Sequence, residues 1–225
     1  MVTAISWSGG KDGWLALLRA RQAGHDVRYA LTMFDESGER SRSHAVPPGV
    51  MALQVRALGL APVSARAPWQ SYEDNLVAAL RDLVQRGVDR VIFGDIDIAS
   101  HRAFEERVCA AAGLKAELPL WQYDRNALVE EMFGHGLKAI VVTTDDRFLA
   151  GRYCGRRFDR AFVAELPSEV DRCGENGEFH TFVTGGAGFD AELPIVAGPS
   201  YAHTATFEQT KTGYHVAPLR VAVPA

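Results

Sequence analysis

Cysteine is scarce: Cys109, Cys154 and Cys173 are the only three in 225 residues, they stand far apart, and none forms a CxxC pair. An odd count at that spacing argues against a disulfide framework or a cysteine-rich zinc or iron–sulfur site, and fits a reducing compartment. Long apolar runs are also missing, since none approaches the ~20 residues that a bilayer span needs. The first residues, MVTAISWSGGKDG, carry no basic segment followed by an apolar one, so no signal peptide is expected. A basic excess is lacking too: 24 Lys+Arg against 28 Asp+Glu leave a net charge of −4, which disfavours a broad nucleic-acid-binding face. Internal repeats, low-complexity tracts and flexible linkers are absent. What is present, 47% hydrophobic and 23% charged residues, is the composition of a globular chain, expected in the cytoplasm. It is long enough to bury a core without covalent or metal staples, as one large domain or one domain with a smaller appendage.

The first half alternates two kinds of segment. VTAISW (residues 2–7), VRYALTMF (27–34), the region 62–65 and RVIFGDI (90–96) read as strands. Residues 14–23, 49–58, 71–85 and 99–112 read as helices, the first closed by Gly24. Nearly unbroken apolar strands in this rhythm predict a parallel sheet covered on both faces, a three-layer α/β/α arrangement. Ligands bind such sheets at the strands' carboxyl ends. That rule brings the turn after Trp7, the long polar loop Asp35–Pro48 and the Gly94-Asp95 end to one crevice. Beyond about Lys115 the rhythm weakens. A helix at 125–133 and strands at 138–144, 179–184, 200–208 and 215–223 predict a smaller α+β lobe. The boundary falls near Leu118–Tyr123, giving units of 1–120 and 121–225.

The most informative feature is Ser8-Gly9-Gly10-Lys11-Asp12-Gly13, directly after one strand and before one helix. Paired glycines let the backbone approach phosphate closely, and the helix that follows presents its positive end to the same point. Lys11 adds a charge; Asp12 can cap the helix or orient a phosphate-bound Mg²⁺. The spacing excludes both a Walker A loop and GxGxxG. An ordinary strand-to-helix turn remains the plain alternative.

A second constellation, Cys173-Gly174-Glu175-Asn176-Gly177-Glu178-Phe179-His180-Thr181, reads as a tight turn entering a strand. Side-chain direction repeats every second residue on a strand, so Glu178 and His180 are expected on one face. Two carboxylates, an imidazole, an amide and a hydroxyl suit general acid–base work or capture of an amine. A solvated polar hairpin is the alternative, and metal ligation is disfavoured by the single His.

AISWSGGKDGWLAL resembles the PP-loop of the ATP-pyrophosphatase branch of the adenine nucleotide α-hydrolase superfamily, whose usual form is SGGxDS; the final Ser is Gly13 here. Together with CGENGEFHTF, it is similar to the signatures of the diphthine–ammonia ligase family, whose C-terminal motif is of GEGGE type. Phe93-Gly94-Asp95-Ile96, His101-Arg102, Pro119-Leu120-Trp121 and Leu149-Ala150-Gly151-Arg152 fit the same family in order, and the EN and FHT spellings suggest a divergent, bacterial branch. The resemblance implies a Rossmann-like, ATP-dependent, adenylate-forming ligase that joins a carboxylate to ammonia and releases AMP and pyrophosphate. It implies ATP on Ser8, Gly9, Gly10, Lys11, Asp12, Gly13 and Asp95, with Mg²⁺ held mainly through the phosphates rather than by direct ligands. Lys11, Asp12, Glu175, Glu178 and His180 become the catalytic candidates, and His101, Arg102, Asn176 and Thr181 the substrate-binding ones. No nucleic-acid or membrane partner is expected, and a homodimer is allowed. A non-catalytic nucleotide sensor and a PP-loop tRNA-modifying enzyme are the alternatives, the latter disfavoured by the missing CxxC pairs.

Lesser residues stay open. Asp95 faces a ligand or caps a helix, and His101 and Arg102 recognise an anion or lie on a solvated face. His44 covers the nucleotide or sits on the surface. Trp121 reads as core or lobe seam, and Arg152, Arg156 and Arg157 as a solvated cluster.

Overall fold

The computed structural model describes residues 1–42, 44–207 and 210–222. The first half contains β1 (Val2–Ser6), α1 (Lys11–Gln22), β2 (Asp26–Phe34), α2 (Pro48–Ala57), β3 (Ala61–Arg66), α3 (Tyr72–Gln85), β4 (Val88–Ile92), α4 (Ala99–Ala112) and β5 (Lys115–Glu117). The five strands form one parallel sheet in the order β3-β2-β1-β4-β5. The chain winds outward from β1 to β3, then crosses back to place β4 on the other side of β1. Ligand crevices of open α/β sheets lie at such a switch point.

Alternation along the strands assigns the two faces. Ile5 packs with Trp14 and Leu17 of α1 and Val50, Met51 and Val55 of α2. Its neighbour Ala4 packs on the other face with Leu76, Leu80 and Leu83 of α3 and Val108 of α4. The expected three-layer α/β/α arrangement is the one observed.

The second half contains α5 (Arg125–Gly134), β6 (Lys138–Asp145), α6 (Arg160–Ala164), β7 (Phe179–Gly185), β8 (Ile195–Ala197), β9 (Tyr201–Phe207), β10 (Thr210–Val216) and β11 (Leu219–Val221). An antiparallel sheet runs β7-β6-β10-β9, and β8 pairs with β11. This is the smaller lobe, and it shares its core with α1: Phe179, Phe182 and Val183 belong to the same buried cluster as Trp14. The fully buried Trp14 also donates Nε1–H to the Ala187 carbonyl at 3.1 Å. Burying a side chain of this size stabilises the fold by on the order of 3 kcal/mol.

Several boundaries differ from expectation. The strand expected through Ile96 ends at Ile92, which leaves Asp95 in the following loop. The strand expected over 215–223 divides into β10 and β11 around Ala217-Pro218, because proline has no N–H to continue a ladder. The expected ends at Glu208 and Val223 lie outside the described residues. Among the described residues no helix is long and apolar enough to cross a membrane.

Candidate functional site

The glycine turn is held from three sides. Gly9 has φ +85°, a left-handed conformation that favours glycine, and a Cβ there would stand 2.9 Å from the Phe182 ring. The Gly9 carbonyl accepts from Val183 N at 2.9 Å and from Gln54 Nε2 at 3.0 Å. Gln54, fully buried on α2, also donates to the Val183 carbonyl at 2.6 Å and accepts from Trp7 Nε1 at 2.9 Å. One amide thereby ties β1, the turn and β7 together.

The helix begins earlier than its apolar spacing predicts. Gly10 is the N-cap residue of α1, with no side-chain cap, so Lys11, Asp12 and Gly13 form the first helical turn. The capping role expected of Asp12 is therefore not the one it has. Its carboxylate instead accepts from Lys11 Nζ at 2.7 and 3.0 Å. The Lys11 side chain is buried, its ammonium lying 5.6 Å from the Phe179 ring centre and 5.8 Å from that of Phe158. Burial works against its charge, but Asp12, with Cys173 and Glu175 behind it, more than offsets this and holds Lys11 above the ordinary lysine range. Lys11 N donates to Thr181 Oγ1 at 3.1 Å, so β7 is fastened to the helix start.

Lys11, Asp12, Phe179 and Thr181 line a cavity of about 230 Å³ together with Ser8, Gly94, Asp95, His101, Glu175 and His180. Its floor depends on glycine. A Cβ at Gly10 would lie 2.8 Å from His44 Cε1, and one at Gly94 would lie 2.7 Å from Gly13 N. A small, glycine-floored cradle at a helix N-terminus with one buried cation fits a polyphosphate. Glu175 Oε1 accepts from Ile96 N at 2.9 Å. Burial, reinforced by the charges of Asp12 and Asp95, pushes the Glu175 carboxyl up to about 7. His180 and His44 stack at 4.6 Å between ring centres, and His44 Nδ1 lies 2.9 Å from the Thr181 carbonyl oxygen. Burial pushes both imidazoles down, His180 to about 4 and His44 to about 3, so both are neutral around pH 7.

A second cavity of about 400 Å³ adjoins the first, walled by Leu31, Met33, Tyr72, Leu76 and Phe104, and by Glu105. Burial, then the hydrogen bond and charge of Asp95, push the Glu105 carboxyl up to about 11, making it a neutral acid. Burial also raises Asp95, but bonds from His101 and Glu105 more than offset this and leave Asp95 below the usual carboxylate range. The bond to Asp95 in turn raises His101, with Nδ1 and Oδ1 2.8 Å apart.

Five expected site residues do not line the glycine-turn cavity: Gly9 and Gly10, which form the turn behind it, and Glu178, Asn176 and Arg102. Glu178 is buried immediately before β7, where its carboxylate accepts from Asp171 N, Asn176 N and Asn176 Nδ2 at 3.3, 3.1 and 2.9 Å. It shapes the turn and does not share a cavity with His180. Asn176 Oδ1 accepts from Arg125 Nη1 at 3.2 Å. Arg102 pairs with Glu106 at 2.7 Å, its guanidinium 4.9 Å from the Trp121 ring centre. Ser8, Gly13, Lys11, Asp12, Asp95, His101, Glu175, His180 and Thr181 do line one cavity.

Other contributors were not singled out in sequence. Gln54, Glu105 and Arg125 carried no local motif, and their roles arise from contacts across the fold. His44, for which the sequence leaves two readings open, lines both cavities.

The strand order and this crevice define an open parallel α/β protein with an anion-fitting cradle at the switch point, closed by an appended antiparallel lobe. Residues 1–116 match the family model of the diphthamide synthase N-terminal domain and residues 124–216 that of the diphthamide synthase C-terminal domain. The chain belongs to the diphthamide synthase family. It is 27% identical to the diphthine–ammonia ligase of Schizosaccharomyces pombe over 199 residues, covering 78% of this chain and 33% of that protein. It is 23% identical to the Bos taurus diphthine–ammonia ligase over 234 residues, covering 91% of this chain and 86% of the other. With the Danio rerio diphthine–ammonia ligase it shares 31% identity over 122 residues, 52% of this chain and 48% of that one. The chain thus spans a third of the length of the Schizosaccharomyces pombe relative.

Proposed function

We propose that the chain is an ATP-dependent ligase that activates a carboxylate as an adenylate and transfers it to ammonia. The observation that carries this reading is the meeting, in one glycine-floored cavity, of Lys11, Asp12, Glu175 and His180. Residues 1–120 would supply the nucleotide site, and residues 121–225 the groups that handle acceptor and ammonia. The triphosphate would lie over Ser8–Gly13, with the buried charge of Lys11 beneath it and the adenosine in the apolar-walled second cavity. Among the described residues no group of three His, Cys, Asp or Glu could hold a metal. Mg²⁺ would be held through the phosphates, with the Asp12 carboxylate in the same cavity, and would supply neutralisation of phosphate charge.

An acceptor carboxylate oxygen attacks the α-phosphorus; the bond to the bridging β-phosphate oxygen breaks and pyrophosphate leaves. Ammonia then attacks the acyl carbon, the acyl–oxygen bond breaks, and AMP leaves with its electron pair. The proton shed by nitrogen passes to Glu175, whose carboxyl near pKa 7 is poised to accept it at neutral pH. His180, neutral, presents an N–H to a phosphate oxygen without adding charge, while the one N–H of neutral His44 is used on the Thr181 carbonyl.

With α-labelled ATP, ammonium and candidate carboxylates, AMP and pyrophosphate are expected only when an acceptor is present. Tight ATP binding without turnover on any acceptor would favour a sensor instead. A carboxylate base is lost by protonation, so the rate should fall as pH drops through about 7, measured with free ammonia held constant. Glu175→Gln should flatten that limb and lower the rate at pH 8 at least about tenfold. An unchanged profile in Glu175→Gln removes Glu175 from the chemistry.

A further inference from the structure

The two cavities of the site share a seam. Ser6, Ser8, His44, Asp95, His101 and His180 line both of them, and Asp95 is the one carboxylate in that set. A nucleotide with its triphosphate in one cavity and its base in the other crosses this seam with its ribose. The seam is where the two sugar hydroxyls, both hydrogen-bond donors, meet the protein.

Asp95 is brought there by its neighbours. Gly94 packs so closely on the first turn of α1 that a Cβ would stand 2.7 Å from Gly13 N, which sets the next residue at the edge of the glycine turn. From the other side α4 presents His101 and Glu105, spaced i, i+4 and so on one helix face. His101 Nδ1 donates to Asp95 Oδ1 at 2.8 Å, and the Glu105 carboxyl bonds to the same carboxylate. With Asp95 ionised and Glu105 neutral, the proton of this pair sits on Glu105, which is the donor. The other oxygen of Glu105, Oε2, is buried and, among the described residues, has no hydrogen-bond partner. A buried acid with an orphaned oxygen costs stability; what Glu105 does in return is hold Asp95.

A carboxylate offers about four lone-pair sites. Two are taken by the residues of α4, and 27% of the Asp95 side chain remains exposed, so two further donors can be accepted. The adjacent 2′- and 3′-hydroxyls of a ribose present two donors side by side. An acidic side chain reads ribose by the same chemistry in dinucleotide-binding folds.

Resting on the reading of these cavities as an ATP site, we propose that Asp95 accepts the 2′- and 3′-hydroxyls and so selects ribonucleotides over deoxyribonucleotides. His101 and Glu105 are positioning residues that fix its carboxylate.

The test is calorimetric, on the full chain with Mg²⁺ and without acceptor or ammonium, so that binding is read apart from turnover. ATP should bind at least about tenfold more tightly than 2′-deoxy-ATP or 3′-deoxy-ATP, since each lacks one hydrogen bond to a charged group. The 2′-fluoro analogue keeps a substituent that cannot donate, and should bind as weakly as 2′-deoxy-ATP. Asp95→Ala should weaken ATP and bring all four nucleotides within threefold of one another. Glu105→Leu should reduce the preference at least threefold, and Glu105→Gln, whose amide N–H can replace the bond to Asp95, should restore it. The wild-type series decides even where a variant fails to fold. Wild-type affinities within twofold for ATP and both deoxy forms, a 2′-fluoro analogue that binds as well as ATP, or an undiminished preference in Asp95→Ala would each overturn the assignment while leaving the ligase reading intact. ATP that binds with this preference but releases pyrophosphate with no acceptor removes the ligase reading and leaves the ribose contact standing. Failure of ATP to bind at all removes both.

Discussion

Gly13 sits at the third position of α1, where the usual form of the motif has serine. Its backbone is not in the left-handed region, and a Cβ there would meet nothing closer than the Trp7 ring at 3.9 Å. Space and conformation therefore both admit serine. A glycine inside a helix costs roughly 0.5–1 kcal/mol relative to alanine, so Gly13→Ser should leave thermal stability unchanged or slightly raised. The added hydroxyl would point into the cavity that Gly13 already lines. A hydrogen bond to a charged phosphate contributes about 1.5–3 kcal/mol, so ATP should bind at least about tenfold more tightly by calorimetry. A variant that folds normally and binds no better would mean that the phosphates do not lie against the third residue of α1. The neighbouring positions show where local reading fails. Asp12 follows two glycines and precedes apolar periodicity, a pattern that suggests a cap. The tight turn instead starts the helix at Lys11, moving Asp12 into the first turn and into contact with the lysine beside it.

At the scale of elements, the site is assembled by segments that meet only in the folded chain. Arg125, at the start of α5, binds Asp97 in the β4–α4 loop through Nε and Nη2 at 2.8 and 2.5 Å. Its Nη1 binds Asp171 and Asn176 in the turn before β7 at 2.7 and 3.2 Å. The first of these loops carries Asp95; the second carries Glu175, and Glu175 Oε1 returns to Ile96 N. Arg125 thus clasps two cavity-bearing loops without lining either cavity itself. Arg125→Ala should lower kcat about tenfold or more, with ATP affinity changed less than threefold, and Arg125→Lys should not rescue it, because an ammonium cannot make two forked pairs. Equal loss in ATP affinity and kcat would indicate general loosening of the fold instead. The clasp was invisible in sequence because its ends are 28 to 51 residues apart. By contrast the strand–glycine–helix unit was legible, since its parts are contiguous. Glu178 lies between these cases: a two-residue alternation predicts that it shares a face with His180, but Glu178 precedes the strand, where the turn dictates direction.

For the whole molecule, alternating apolar segments were enough to predict the parallel sheet and its two covered faces. They did not predict how closely the second lobe joins the first. Trp14 on α1 packs in one buried cluster with Phe182 and Val183 of β7, and its indole N–H is bonded to Ala187. Thr181, also on β7, accepts from Lys11 N, so the glycine-turn cavity is complete only when both lobes are docked. The cluster continues from Ile5 of β1 to Ile140 and Val141 of β6, leaving no apolar break along which the halves could separate. Unfolding should therefore be a single cooperative transition in urea. Indole fluorescence, sensitive to Trp14 at the lobe contact, and far-UV circular dichroism, which reports all helices, should give the same midpoint. Ligand that binds only the docked state raises stability by RT ln(1 + [L]/Kd), about 2.7 kcal/mol at a hundredfold excess over Kd. ATP should accordingly shift both signals together and by the same amount. Indole emission that changes well before the circular dichroism, with only the later transition moved by ATP, would mean that the nucleotide site survives without the second lobe, against the dependence of Lys11 on Thr181.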